Sequence, residues 1–299
     1  MTGKLLWKNM CLTKTDTDSK NRDGGIMADK GKKQKKGLGF FWTILFLLAL
    51  SVFCFSAYQL FDIYRNYKQG VDEYLSVSHE TVVRNQEPLV VKEQAETEEV
   101  LLVEPEKVTY QPPEVNFDEL QQMNPDVLGW LEIEAIPDIS YPVVQAEDNA
   151  YYLKHTFKKT ENSAGSIFVD YINNPILTDC HTIIYGHNMK NGSMFGKLKE
   201  LYEKEKYKDS RYLWICTPAG KYRYEIFSMQ YADVNSETYT LFQEHNEEFG
   251  AYLERMRDKS EVDLGVKYLS KDDYVITLST CTSNDQVRFV VQARWVATY

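Results

Sequence analysis

The stretch TLSTCTSNDQVRFVV, residues 277–291, sets two runs rich in branched and aromatic residues on either side of a short polar turn. Extended to its flanks it becomes DYVITLST (273–280) and VRFVVQARWVA (287–297), two strands that the turn folds back on each other. Working toward the N-terminus, the same signature recurs in KYRYEIFSMQYADV, RYLWICT, HTIIYGH, SIFVDYI, ISYPVVQ and GWLEIEAI. Each run is short, rich in Val, Ile, Tyr and Phe, and bounded by Gly, Pro, Asp or Asn. Eight such runs between residues 129 and 297 predict a mainly β domain, a barrel or sandwich that closes to remove its edges. TLFQEHNEEFGAYLERMRD (240–258) interrupts them with a partial apolar stripe at helical spacing, predicting one long helix between the sixth and seventh strands. Ahead of the strands, Asn116 and Glu119 have capping-box spacing, and Asn124-Pro125 starts a second short turn.

Charge divides the chain of 299 residues unevenly. Its net charge is −10, yet residues 1–36 sum to +6, which leaves −16 for the rest. Nothing beyond residue 36 has the basic footprint of a nucleic-acid-binding protein, so no nucleic-acid partner is expected. Residues 37–61, GLGFFWTILFLLALSVFCFSAYQLF, carry no charge at all. As a helix they would reach about 37 Å, enough to cross a hydrocarbon core of ~30 Å. KGKKQKK on one side and Asp62 on the other predict a single-pass anchor, with the N-terminus cytoplasmic and the remainder extracellular. A cleaved signal peptide fits less well, because CFSAYQ offers no small-x-small site; Phe53 before Cys54 argues against a lipoprotein. Met27, shortly before the basic run, is a second candidate for the initiating methionine. Residues 62–111 read as an acidic extracellular stalk, since QEPLVVKEQAETEEVLLVEPEK (86–107) holds seven Glu against two Lys. The folded domain is then expected over 112–299.

Five cysteines are spread over these segments. Cys11 falls in the basic tail and Cys54 in the apolar span, so only Cys180, Cys216 and Cys281 belong to the outer domain. An odd, small number is no disulfide framework, and at least one thiol must stay free. A cysteine nucleophile needs a thiolate, an acid for the leaving amine, and a site for the oxyanion. Cys216 sits mid-strand and Cys180 in a loop beside Asp179, where a small buried hydrophobe is the simpler reading. Cys281 ends a strand at a loop, and position alone leaves it open between nucleophile and core residue. Four histidines lie in the strand-rich region. His155 and His245 read as structural, and His181 next to Asp179 as a turn or cap residue. His187 follows Gly186 and precedes the loop NMKNGSMFG, a suitable place for a side chain that meets a substrate. Arg288 opens the strand after Cys281, and hairpin geometry returns it to the same rim, although pairing with Asp285 is an equal alternative. Arg294, six residues further, is about 20 Å away and cannot serve the same site. No Cys/His cluster has metal-ligand spacing and no glycine-rich loop cradles a phosphate, so neither metal nor cofactor is expected.

These residues carry a resemblance. TLSTC followed by R-F-V-V, with IIYGHNM upstream, resembles the class B sortases, membrane-anchored cysteine transpeptidases of Gram-positive bacteria. NFDELQQMNPDVLGWLEI, ISYPVVQAEDNAYYLKHTF, AGSIFVDYINN and YGHNMKNGSMFGKL extend the likeness, in order and spacing, over residues 115–299. The resemblance implies the closed eight-stranded sortase barrel with N-terminal helices and the long inserted helix. It implies Cys281 as nucleophile, His187 as general acid/base and Arg288 as the oxyanion or substrate-positioning group. Asn149, Leu153 and Ser279 would line the groove for the substrate, with NSETYTLF helping to read it. The implied substrates are surface proteins with a C-terminal sorting signal, cut after Thr through a thioester. The implied acceptor is an amine of a lipid-linked peptidoglycan precursor, or a pilin lysine. Two other readings stay open: a secreted cysteine endopeptidase that uses the same three residues but lets water resolve the thioester, and a non-catalytic membrane-tethered β-barrel binding module in which Cys281 is inert.

Overall fold

The computed structural model describes residues 36–84, 110–281 and 286–299. The basic tail with Cys11, the whole acidic run 86–107, and the turn that includes Asp285 lie outside the described residues. The chain divides into two compact units, residues 1–55 and 56–299. Within the first, helix α1 (Lys36–Thr81) begins, and every described side chain from 40 to 55 is exposed. A helix apolar all round with no protein to cover it is a candidate membrane span.

The second unit is an eight-stranded closed barrel. After α1 come two short strands, β1 (Val82–Val83) and β2 (Glu114–Val115), which pair with each other, and helix α2 (Phe117–Met123). The barrel strands follow: β3 (Val127–Ile133), β4 (Ile136–Val144), β5 (Ile167–Val169), β6 (His181–Gly186), β7 (Tyr212–Thr217), β8 (Gly220–Asp233), β9 (Val275–Cys281) and β10 (Val287–Thr298). A one-turn helix, α3 (Glu200–Glu203), lies between β6 and β7. All eight sequence-predicted strands are present. They close in the order β10-β8-β7-β3-β4-β5-β6-β9, with two parallel pairs, β4–β5 and β6–β9.

Alternation along β9 and β10 explains the layers. Ile276, Leu278, Phe289, Val291 and Ala293 point into the main core with Leu131, Ile184 and Ile215. The opposite face of β9 and β10 carries Thr277, Ser279 and Gln292, polar residues that need partners. The connection from β8 to β9 supplies them for Ser279 and Gln292, and His181 of β6 does so for Thr277. Helix α4 (Glu247–Asp258) lies in that connection, with Phe249, Tyr252, Leu253 and Met256 forming a second core with Phe227 and Cys180. This is the long helix expected between the sixth and seventh strands, but it begins at Glu247 rather than Thr240. Asn246 caps it, its side chain accepting the Phe249 N–H at 2.8 Å, and residues 240–246 run over β6 in non-helical form.

Asn116 caps α2, accepting the N–H of Glu119, but the reciprocal half of the capping box is not formed: the Asn116 N–H donates to the Thr81 carbonyl, and the Glu119 carboxylate accepts from the Asn116 side chain. Asn124 does more than start a turn. Fully buried, it donates to the Phe157 carbonyl and the Tyr152 hydroxyl, tying α2 to the loop after β4. Residues 62–77, DIYRNYKQGVDEYLSV, continue the membrane helix outward, as the sequence allows, but residues 66–84 of the expected stalk also dock against the barrel. Tyr74 and Val77 are buried in the main core, and Arg84 donates two hydrogen bonds to the fully buried carboxylate of Glu132 on β3. The apolar residues of DIYRNYKQGVDEYLSV are too few to mark a core helix by composition, yet they meet the barrel on one face.

Candidate active site

The ladder registers bring the three residues of interest to one place. On one side of β9, Cys281 is paired with Arg288 of β10 in antiparallel register. On the other side, β6 runs parallel and Gly186 is paired with Thr280. His187, the next residue, therefore stands one step beyond the last pair, level with Cys281. A cavity of about 180 Å³ opens here, lined by Asn149, Leu153, Phe168, Tyr185, Gly186, His187, Ser279, Thr280 and Arg288. Every described side chain assigned to the site by sequence reading borders this one cavity.

The His187 ring is held by backbone. Its Nε2 donates to the Leu153 carbonyl at 2.7 Å, and since a carbonyl can only accept, Nε2 carries a proton. Gly165 presses against the same ring. It has φ of +58°, and a Cβ there would stand 2.9 Å from His187 Cδ2 and 2.9 Å from the Leu153 oxygen. Only glycine lets the chain lie so close. After His187 the loop returns at once, the Phe195 N–H donating to the His187 carbonyl, so both sides of the residue are fixed.

Asn149 and Ser279 are also held in single orientations. The Asn149 amide donates to Asp170 at 2.9 Å and accepts the Tyr171 N–H, which settles which end of the amide is which. Ser279, almost fully buried, shares a 2.8 Å hydrogen bond with the Tyr239 hydroxyl. Leu153 is 38% exposed and contributes both its side chain and the carbonyl just described. Three contributors escaped sequence reading. Asp170 accepts from both Asn149 and the Tyr185 hydroxyl, while burial, reinforced by that carboxylate, pushes the Tyr185 phenol well above its ordinary range. Tyr239, within NSETYTLF, holds Ser279 through its hydroxyl. The signals were present as Asp170 at the end of SIFVD and Tyr185 in IIYGH, but only the folded contact gives them a role.

The other candidates resolve as structural. Cys180 and Cys216 are buried free thiols, and burial pushes them up to about 11 and about 12, so both stay protonated near neutrality. His181 is fully buried rather than capping a turn. Its Nδ1 donates to the Thr240 carbonyl at 2.8 Å, and its Nε2 accepts from the Thr277 hydroxyl at 2.7 Å. Burial lowers its pKa to about 4, so it is neutral. His155 stacks on Tyr151 and His245 bonds the Lys271 carbonyl. Arg294 is paired with Val275 at the far end of the ladder and bound to Glu225. Among the described residues no group of three acidic, His or Cys side chains could hold a metal ion.

Residues 131–296 match the sortase domain. Sortase B of Listeria monocytogenes is 33% identical over 267 residues, 86% of this chain and 97% of that protein. Among solved structures, sortase B from Bacillus anthracis superposes with a TM-score of 0.60 at 31% identity, covering 78% of this chain and 99% of that one. Sortase B of Clostridium perfringens gives a TM-score of 0.56 at 31% identity, over 61% of this chain and all of that one.

Proposed function

Since the chain belongs to the sortase family as a class B member, and is thereby a cysteine transpeptidase, we propose that Cys281, His187 and Arg288 carry its chemistry on a C-terminal sorting signal. The Cys281 thiolate attacks the carbonyl carbon of the Thr residue in that signal. Arg288 stabilises the tetrahedral oxyanion, and protonated His187 gives its proton to the departing amine as the C–N bond breaks. The thioester that remains is attacked by an amine of a lipid-linked peptidoglycan precursor, or of a pilin lysine, with neutral His187 taking the proton. Asn149, Leu153 and Ser279 line the groove that holds the signal.

The observation that carries this reading is the register: Cys281 opposite Arg288 on one side, and Gly186, next to His187, opposite Thr280 on the other, around one cavity. Residues 37–61 cross the membrane with residues 1–36 inside and the enzyme outside, which keeps it beside donors and acceptors that are themselves held at the bilayer. Tethering all partners raises their effective concentration.

The test offers the full chain, in detergent or vesicles, a library of sorting pentapeptides with C-terminal extensions and an added amine. Amine-dependent conjugates joined at Thr, lost in Cys281→Ala, are the expected result. Hydrolysis indifferent to the amine would make the enzyme an endopeptidase. Conjugates formed by Cys281→Ala would remove the nucleophile assignment.

A further inference from the structure

Residues 66–74 of α1 grip the loop on which the His187 ring rests. Tyr74 places its hydroxyl among three groups of that loop: it donates to the Gly165 carbonyl at 2.7 Å, accepts the Phe157 N–H at 3.2 Å, and lies 3.1 Å from Ser166 Oγ. The loop is thus joined across its width at one buried oxygen. The Ser166 hydroxyl donates to the His155 carbonyl, and the Ser166 N–H donates to the Tyr152 carbonyl at 2.9 Å. About two turns earlier, the Asn66 carbonyl accepts from the Asn162 amide, and the Asn66 side chain accepts the Ser163 N–H. Glu73 accepts the Lys158 N–H at 2.9 Å. The helix comes close enough for this because Gly70 faces the loop; a Cβ there would stand 3.0 Å from Asn162 Oδ1.

Gly165, bonded by Tyr74, is the residue whose Cα packs against the His187 ring, and Leu153, across the same loop, supplies the carbonyl that holds His187 Nε2. The path from Tyr74 to the imidazole is two contacts long. We propose that Tyr74, supported by Asn66 and Glu73, is a positioning residue for His187, acting through the backbone of residues 153–166, so that this part of α1 belongs to the catalytic apparatus. It rests on the reading of His187 as the acid/base. Removing the Tyr74 hydroxyl frees the Gly165 carbonyl and the Phe157 N–H and lets the seat of the imidazole drift. Displacements of an ångström at a reacting group cost about ten- to a hundredfold in rate. Asn149 and Ser279, which border the cavity from outside this loop, keep their own hydrogen bonds to Asp170 and Tyr239, so peptide binding changes little.

The experiment compares four full-length chains: wild type, Tyr74→Phe, His187→Ala and Ile215→Val. Ile215 is buried on β7, which pairs with neither β6 nor β9, so its variant lowers stability without touching the loop. The expected result is a kcat at least tenfold lower in Tyr74→Phe, a KM within twofold of wild type, and a displaced imidazole limb in the pH–rate profile. Ile215→Val should lower Tm and keep the wild-type kcat below its transition. Tyr74→Phe with a wild-type kcat, while His187→Ala is dead, overturns the positioning role and leaves His187 in place. Equal losses of kcat in Tyr74→Phe and Ile215→Val overturn it as well, since stability would then account for both. An active His187→Ala removes the reading beneath it.

Discussion

Arg288 stands directly across the β9–β10 ladder from Cys281. Directly opposed residues in an antiparallel pair have their Cβ atoms about 4.5–5.5 Å apart, and this spacing is fixed by backbone hydrogen bonds rather than by loop conformation. On the proposed mechanism, a guanidinium so placed meets the oxyanion as it forms. Arg288→Ala should slow thioester formation by about 10²–10³. Because Arg288 is half-buried at the cavity rim, Tm should barely move. Single-turnover acylation measures the first and thermal unfolding the second; a wild-type acylation rate would remove Arg288 from the chemistry.

Asp170 offers a sharper test of the cavity wall. One of its carboxylate oxygens accepts from both Asn149 and Tyr185. Asp170→Ala removes that oxygen and breaks both hydrogen bonds, together with the one its other oxygen accepts from the Ile172 N–H. The expected effect is a several-fold rise in KM for the sorting peptide and a stability loss of about 1–3 kcal/mol. A KM equal to wild type would mean that Asn149 and Tyr185 do not touch the peptide.

His181 gives the fold a pH dependence of its own. Its folded pKa of about 4 lies below the unfolded value of about 6.5. Burial sets the direction, against weaker opposing effects from the Thr240 carbonyl and Asp179. Between those values the unfolded chain binds the extra proton, so stability is complete above pH 6.5 and falls as the pH drops toward 4. The loss is on the order of 3 kcal/mol. Denaturant titrations across that range should show the slope in the wild type and lose it in His181→Gln. The same slope in both proteins would assign it to other groups.

Glu132 tests the attachment of the N-terminal segment. Its carboxylate is fully buried and accepts from Arg84, Ser140 and Tyr110. Arg84→Ala leaves that charge with two neutral donors. The cost should be about 1–3 kcal/mol, less than for a wholly buried pair because the Arg84 side chain is half-exposed. A fragment beginning at residue 112 loses Arg84, Tyr110 and the α1 contacts together, and should unfold well below the longer chain. Equal melting temperatures would show that these contacts contribute nothing.

The strands were legible because each has a closed local signature, a β-rich run between turn residues, and the inward face of β9 and β10 obeys strict alternation. Positions at strand ends made Cys281, His187 and Arg288 candidates, but hairpin and loop logic left Cys281 and Arg288 open, and only the family resemblance implied their roles. Helix α4 was read too long because Leu241 and Phe242 continue its apolar stripe; Asn246-Glu-Glu, a cap followed by acidic residues, was the better marker of its start. The docking half of α1 was missed for another reason. Its contacts are made by Asn66, Glu73 and Tyr74 with backbone about ninety residues away, and polar residues with distant partners look like solvated ones in sequence. Gly165 is the same case: its requirement comes from the His187 ring, not from its neighbours in the chain.

The parallel seam between β6 and β9 also governs when such a site can exist. His181 and Thr277, bonded across it, are 96 positions apart, and a connection of that length must close before the seam gains any pairing energy. A polypeptide made from its N-terminus displays the histidine long before the facing strand has been synthesised. On the proposed mechanism, amide-cleaving competence therefore arrives only once β9 and β10 have been made and paired, however well the earlier strands have folded.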